Sequence, residues 1–461
     1  MKKNIRLISA MTALIIALSA AGCSAHSGST AKDAPTNSIT EKGDSTAAVP
    51  GSTADSYYAT KGADDTAAGR KSDTSPTLNA KESITAIDDV AAEGEMYAAD
   101  KTAPTEDIIA DREPAADDGY DGDINQVTPA GLLTAGEWND NDNWGFFSNL
   151  VNSDKISFPS FNIDPRFRTA VTVKSSDGSP VINAAARLID KDGNVIWEGV
   201  TDKKGIVYLF GENGTQVEIE SMGSKQSYEI KQTGTDTQMV RKCTDTSLEV
   251  TFEGGSEAYK QNDIMFILDT TGSMGDEMLF LQSEFTAITN EIGTENTRYS
   301  VNFYRDTEDE YVTKCNDFTD DIKVLQQKLN AESATGGGDE PEAVAEALTE
   351  CIGKSSWGDK SVKLAFLIFD APPHNEKASE VAAAVKEAAK KGIRLIPIVS
   401  SNSERNTELF GRAGAIVTGG TYVFLTDDSN IGDSHLEPII GEYKVEKLYD
   451  IIIRVINEYR Q

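Results

Sequence analysis

From residue 263 onward, short apolar runs alternate with amphipathic helical patterns, and this rhythm restricts the fold more than any other feature of the chain. DIMFILD, YSVNFYR, VKLAFLIFD, IRLIPIVS and TYVFLTD read as strands. Helical patterns fall between them at about 276–292, 320–331, 340–353, 377–391 and 404–414, and EKLYDIIIRVINEYR closes the chain. Strands apolar on both faces and separated by helices predict a mainly parallel sheet covered on both sides, an α/β doubly wound domain over 263–461. EYVTKC at 310–315 predicts a short antiparallel edge strand.

In open sheets of this kind, ligands bind beyond the carboxyl ends of the strands, where the strand order reverses. The apolar run 264–268 ends at such a place in Asp269, with Thr271 and Ser273 at alternate positions and Gly275 after them. A carboxylate and two hydroxyls on a strand-to-helix turn form an oxygen-only donor set. It suits a hard cation, Mg²⁺ first, with Mn²⁺ or Ca²⁺ as alternatives. The helix from about residue 276 turns its partly positive end toward the same spot. Two further segments bring acids to element ends. In TGGGDEPE, at 335–342, Asp339 reads as a helix N-cap, with Glu340, Pro341 and Glu342 in the first turn. FLIFD, followed by APPH, ends another strand in Asp370. Alone, Asp339 is a cap and Asp370 a turn residue. In chain order with the glycine loop, they predict a site.

The residues D-x-T-x-S at 269–273, then GGGDEPEAVAEAL, FLIFDAPPH and GGTYVFLTDDSNIG, resemble a von Willebrand factor A domain and its metal-ion-dependent adhesion site, from 263 to about 460. The resemblance implies that Thr271 and Ser273 bind the metal directly, that Asp269 acts through water, and that Asp370 is the last carboxylate. It implies a second-loop ligand at Asp339 or Thr335, with Asp339 preferred. Its functional implication is adhesion. The cation keeps one open position, and a protein partner fills it with an Asp or Glu carboxylate. The alternative is a constitutive structural or assembly protein of the cell envelope whose metal is structural.

Upstream, residues 167–254 read as all-β. FRTAVTV, AAARLID, NVIWEGV, GIVYLF, QVEIES, SYEIK and SLEVTF recur at intervals of roughly ten residues, with Asp-Gly or Lys-Gly turns at 177–178, 192–193 and 204–205. Regular short strands predict a small β-sandwich. The stretch SSDGSPVINAAARLIDKDGNVIWEGVTDKKGIVYL resembles the carboxypeptidase-regulatory-like, prealbumin-type sandwich, which implies a spacer or platform. Between 128 and 166, Trp138, Trp144, Phe146 and Phe147 predict a connecting segment that packs on a folded domain.

The first 22 residues read as a lipoprotein signal peptide. Lys2, Lys3 and Arg6 precede an apolar run at 7–18, and SAAGC resembles a bacterial lipobox. That implies cleavage before Cys23, lipidation of Cys23, and anchorage on the extracytoplasmic face of the cell membrane. Ser24 carries no inner-membrane retention signal. Residues 23–127 are rich in Ala, Asp, Ser, Thr, Gly and Lys and predict a disordered stalk. A coil of ~100 residues spans roughly 50–60 Å. Three cysteines remain, Cys243, Cys315 and Cys351, an odd number that leaves at least one unpaired within the chain; Cys315 and Cys351 can pair if their elements are adjacent, and the preferred reading is buried free thiols.

A formal net charge of −32 excludes nucleic acid as a partner, since such binding depends on Lys and Arg neutralising phosphates. No later segment offers ~20 apolar residues, so membrane contact is through the lipid anchor only. Enzyme motifs fail on inspection. DTTGS resembles the phosphorylated-Asp motif of P-type pumps, which need multiple spans. Haloacid-dehalogenase-like phosphatases place a second Asp where Thr271 stands. TGSMG has Thr271 where a nucleophile elbow needs Gly, and no P-loop follows a strand. The three histidines are His26, His374 and His435, and His374 reads as a loop cap beside Asp370. The chain is therefore read as a binding protein and not an enzyme.

Overall fold

Eight strands form the main sheet of this computed structural model, which describes residues 133–231, 242–338, 340–429 and 434–460. The signal peptide, Cys23, the stalk and Asp339 lie outside the described residues. In chain order the elements begin with β1 (Thr134–Trp138) and α1 (Trp144–Asn152). A β region follows: β2 (Phe167–Ser175), β3 (Ala185–Asp190), β4 (Val195–Val200), β5 (Ile206–Phe210), β6 (Gly214–Ser221), β7 (Ser224–Glu229) and β8 (Thr244–Phe252). The α/β region starts with β9 (Gln261–Asp269), α2 (Gly275–Ile292), β10 (Thr297–Tyr304), β11 (Thr313–Lys314), α3 (Ile322–Asn330) and α4 (Val344–Lys354). It continues with β12 (Ser361–Phe369), α5 (Ala378–Lys391), β13 (Ile393–Val399), α6 (Arg405–Thr418), β14 (Tyr422–Leu425), β15 (Glu446–Lys447) and α7 (Leu448–Tyr459).

The main sheet runs β11-β10-β9-β12-β13-β14-β1-β15. Strands β10, β9, β12, β13 and β14 are mutually parallel, as their two-sided apolarity predicts; all nine residues of β12 are buried. The edge strand β11 pairs antiparallel with β10. From β9 the chain first moves outward to β10 and then returns to β12 on the other side. The crevice beyond the carboxyl ends of β9 and β12 is thus the switch point of the sheet.

Strand β1 has no counterpart in the sequence pattern. TAGEW from the aromatic connecting segment enters the main sheet, antiparallel to both β14 and β15. Gly136 makes this possible, because the Phe424 and Tyr443 rings fill the space a side chain would need. Just after β1, Asp140 receives two hydrogen bonds from Arg412 of α6, at 2.8 and 2.9 Å, and Arg412 also binds Glu408 at 2.9 Å. Arg412 and Glu408 are fully buried. Trp144 and Phe147 are buried as expected of the aromatic segment, while Phe146 is partly exposed.

The seven β-region strands form a three-stranded sheet, β5-β2-β8, and a four-stranded sheet, β4-β3-β6-β7. Gly178, Gly193 and Gly205 take positive φ at the turns read from sequence. This region seats on the α/β region through Arg394, which donates to Val200 O at 3.0 Å, and through Lys390 with Glu198 at 3.0 Å. Those contacts lie at the amino end of β13, away from the switch point. Cys243 and Cys351 are buried free thiols, but Cys315 is exposed because it follows the edge strand β11.

Candidate metal centre

Asp269 is the last residue of β9, and Asp370 follows the last residue of β12. These strands are neighbours in register, Ile368 beside Leu268, so the two carboxylates emerge side by side at the switch point. Asp269 Oδ1 accepts from the backbone N–H of Thr271 at 2.9 Å and from its hydroxyl at 2.7 Å. A short 3-10 turn over Gly272–Met274 then leads into α2. The Ser273 side chain is exposed, and its hydroxyl acts on Asp370.

The glycine-rich loop lies directly across this turn. Thr335 donates its backbone N–H to Thr270 O at 3.0 Å, and Gly272 donates to Gly336 O at 3.1 Å. Gly336 and Gly337 have φ of +88° and +71°, a conformation glycine adopts without steric cost. At its far end Glu342 donates its N–H to Pro372 O at 3.1 Å, and Ala343 donates to Arg305 O at 3.2 Å. Those two donors serve neighbouring loops instead of a helix. The helix expected from residue 340 therefore begins at Val344, and Glu342 is not in its first turn. Glu342 instead enters the site, 4 % exposed, beside Asp269 at 1 % and Asp370 at 8 %.

Around this centre, Asp306 Oδ1 accepts from His374 Nε2–H at 2.7 Å, tying the loop after β10 to the loop after β12. Asp309 Oδ2 accepts from the backbone N–H of Asp306 at 3.0 Å and of Gly337 at 2.9 Å. Asp306, Glu308, Asp309, Gly337 and His374 line a pocket of about 270 Å³. On the other flank Ser401 donates its hydroxyl to Glu277 of α2 at 3.0 Å.

Three carboxylate oxygens of the centre are buried with no hydrogen-bond partner: Asp269 Oδ2, Glu342 Oε2 and Asp370 Oδ1. Burial, then the Asp370 charge, pushes the Asp269 carboxyl up to about 7, against the bonds from Thr271. The Tyr304 hydroxyl faces Asp269 with the same sense of effect but falls short of good hydrogen-bond geometry. Burial, followed by the charges of Asp269, Asp306, Asp370 and Asp309, pushes Glu342 up to about 9. Asp370 and Glu277 are raised chiefly by burial. Crowded, desolvated carboxylates of this kind hold protons unless a positive charge joins them.

Of the residues predicted from sequence, Asp269, Thr271, Ser273 and Asp370 come together. Thr335 joins them through its backbone, with an exposed side chain, and Asp339 lies outside the described residues. Sequence reasoning missed Glu342 as a site residue, along with Asp306, Tyr304 and Glu277. Among the described residues, no group of three His, Cys, Asp or Glu side chains is spaced to hold a metal ion by itself. The donor set on offer is a mixed one, in which hydroxyls of Thr271 and Ser273 stand beside the carboxylates. All donors are oxygens, which fits a hard cation that retains water ligands.

Residues 263–418 match the family model of the von Willebrand factor A domain. Among solved structures, the chain is similar to the conserved hypothetical protein BatB from Bacteroides thetaiotaomicron, at 14 % identity and a TM-score of 0.32, covering 43 % of this chain and 98 % of that one. No curated protein matches the chain. The matched span carries Asp269, Glu342 and Asp370, and it supports a von Willebrand factor A domain at residues 263–418.

Proposed function

We propose that this chain is a surface lipoprotein whose von Willebrand factor A domain binds a protein partner through a hard divalent cation, Mg²⁺ first. The observation that carries the reading is the trio of buried, unpartnered oxygens on Asp269, Glu342 and Asp370 at the switch point of the sheet. A cation there would be held by the hydroxyls of Thr271 and Ser273, by Asp370 and Glu342, and by Asp269 directly or through water, with the second loop adding Thr335 or Asp339. The cation supplies a Lewis-acidic centre that a partner's Asp or Glu can complete. Binding and not turnover is the role we assign. The lipid anchor at Cys23 would hold the molecule on the extracytoplasmic face of the membrane. Among the described residues no helix is long and apolar enough to cross a membrane.

A second reading has one observation in its favour. Glu342 is a carboxylate supplied from within, so it could close the coordination shell itself and leave a structural metal in a constitutive envelope assembly. Calorimetry with Mg²⁺ on wild type and Asp269→Ala tests the site, and equal affinities would refute it. Cross-linked pull-down from intact cells, with and without EDTA, separates the two readings. Chelation should abolish a cation-bridged partner and spare a constitutive one.

A further inference from the structure

We propose that Cys315 and Cys351 are a reversible disulfide pair that staples α4, which follows the glycine-rich loop of the site, to the edge of the main sheet. Their sulfurs stand 3.4 Å apart although the residues are 36 positions apart in sequence. The approach is built by both elements. Strand β11 is held on β10 through the pairing of Phe303 with Lys314, directly before Cys315. Thr313 of the same strand donates its hydroxyl to Glu350 at 2.8 Å, and Glu350 directly precedes Cys351 on α4. Reaching an S–S bond of about 2.05 Å needs the sulfurs to close by only ~1.4 Å, which side-chain rotation supplies. Cys243 lies in the β region directly before β8 and takes no part.

The two thiols differ in a way that orders the reaction. Cys315 is exposed, whereas Cys351 is buried. The contact with Cys315 and burial hold the Cys351 thiol well above the usual thiol pKa, so the first attack comes from Cys315. Its thiolate attacks a small disulfide oxidant such as glutathione disulfide, forming a mixed disulfide and releasing one glutathione thiolate. Cys351 then loses its proton, attacks Cys315 Sγ and releases the second glutathione. Two protein thiols are oxidised, one external disulfide is reduced to two thiols, and two protons move to the glutathione thiolates.

The ring that closes contains α3, Thr335, Gly336, Gly337 and Glu342. It therefore shortens the excursions of the loop that brings Glu342 beside Asp269. Formation of the bond is independent of any cation; its effect on cation affinity rests on the function proposed above.

The test uses the full chain in EDTA, reduced by a phosphine or oxidised by glutathione disulfide. Each sample is alkylated without denaturant, digested and mapped by mass spectrometry. The expected product joins the Cys315 and Cys351 peptides and leaves Cys315 protected from alkylation. Recovery of Cys315 as alkylated thiol, or only as the glutathione adduct, overturns the proposal. Amide hydrogen exchange over 335–342 should slow by roughly threefold or more on oxidation of wild type and not of Cys315→Ser, an exposed change that preserves folding. A cross-link without that slowing overturns the staple role. A Mg²⁺ titration of both redox forms should then favour the oxidised one. If neither form binds Mg²⁺ while the cross-link and the slowed exchange persist, the cation reading fails and the staple stands.

Discussion

The backbone N–H of Glu342 donates to the carbonyl oxygen of Pro372 at 3.1 Å, and this one bond sets a third carboxylate beside Asp269 and Asp370. It leaves Glu342 buried, with one oxygen unpartnered and its carboxyl pushed up to about 9. Glu342→Gln keeps the shape and removes the charge. Without cation, this variant should be more stable than wild type at pH 9, because the wild-type carboxyl must either ionise among like charges or hold a proton. With Mg²⁺ the order should reverse, as affinity falls by roughly 10–100-fold. Thermal melts in EDTA and calorimetric titrations read the two effects separately, and a variant that lost stability in both conditions would remove Glu342 from the site.

The same crowding fixes the sign of the pH dependence. Asp269 and Glu342 are raised from 3.8 and 4.5 to about 7 and about 9 in the fold, so the folded state binds more protons than the unfolded chain. Their contribution is fully present below the unfolded values and is lost as pH rises through the folded ones. Melts of the cation-free protein should therefore show the transition temperature falling between about pH 4 and pH 9. Saturating Mg²⁺ should flatten that fall, and binding near pH 7 should release protons, measurable by titration in buffers of different ionisation enthalpy. A cation-free transition temperature that rises across this range contradicts the assignment.

The parallel sheet was legible because its strands are buried on both faces, which leaves runs such as 264–268 and 364–369 with no polar alternation to confuse with anything else. Asp269 and Asp370 were legible for a related reason, each being the first acid after such a run. Glu342 was not. Three acids and a proline before an apolar pattern are the ordinary beginning of a helix, and only the tertiary bonds to Pro372 and Arg305 move the helix start to Val344. Strand β1 was hidden because TAGEW carries a glycine and a glutamate and too few residues to show a period. Its place comes from the edge groups of β14 and β15, and from Arg412, more than 270 residues away in sequence. Asp306 and His374 reach each other only once β10 and β12 flank β9.

That long-range anchoring has a consequence for stability. Arg412, Asp140 and Glu408 form a buried cluster in which Arg412 bridges two carboxylates, Glu408 also pairing with Arg405. Arg412→Met would remove the buried cation from both acids, leaving Asp140 with Trp138 Nε1 alone and Glu408 with Arg405 and the Ile439 N–H, and breaking a buried pair costs about 3–5 kcal/mol. Urea denaturation should show that loss. Limited proteolysis of the variant should cut near residues 139–143 before the α/β region opens, because Asp140 is the tie that holds β1 after its five residues of pairing. Loss within ~1 kcal/mol would mean that pairing with β14 and β15 holds β1 without the buried ion cluster.

Gly337 offers the narrowest probe of the glycine-rich loop. Its φ of +71° excludes a relaxed L-residue, and an added Cβ would meet Glu342 Oε1 at 3.0 Å and Thr271 Cβ at 3.2 Å. Gly337→Ala should therefore shift the loop away from both. The backbone strain is of order 1–3 kcal/mol, but a loop in this position can relax outward, so the global unfolding transition should move little. The contacts that cannot relax are those with Thr271 and Glu342, whose oxygens face the centre. The expected result is a small change in transition temperature together with a weakening of Mg²⁺ binding of roughly tenfold or more, by analogy with the loss of a supporting contact around a metal. The two measurements must diverge for the loop to be part of the site. If Gly337→Ala loses stability in proportion to its affinity, or binds Mg²⁺ like wild type, then the loop only covers the Asp269 turn and the cation is held by residues on the strand ends alone.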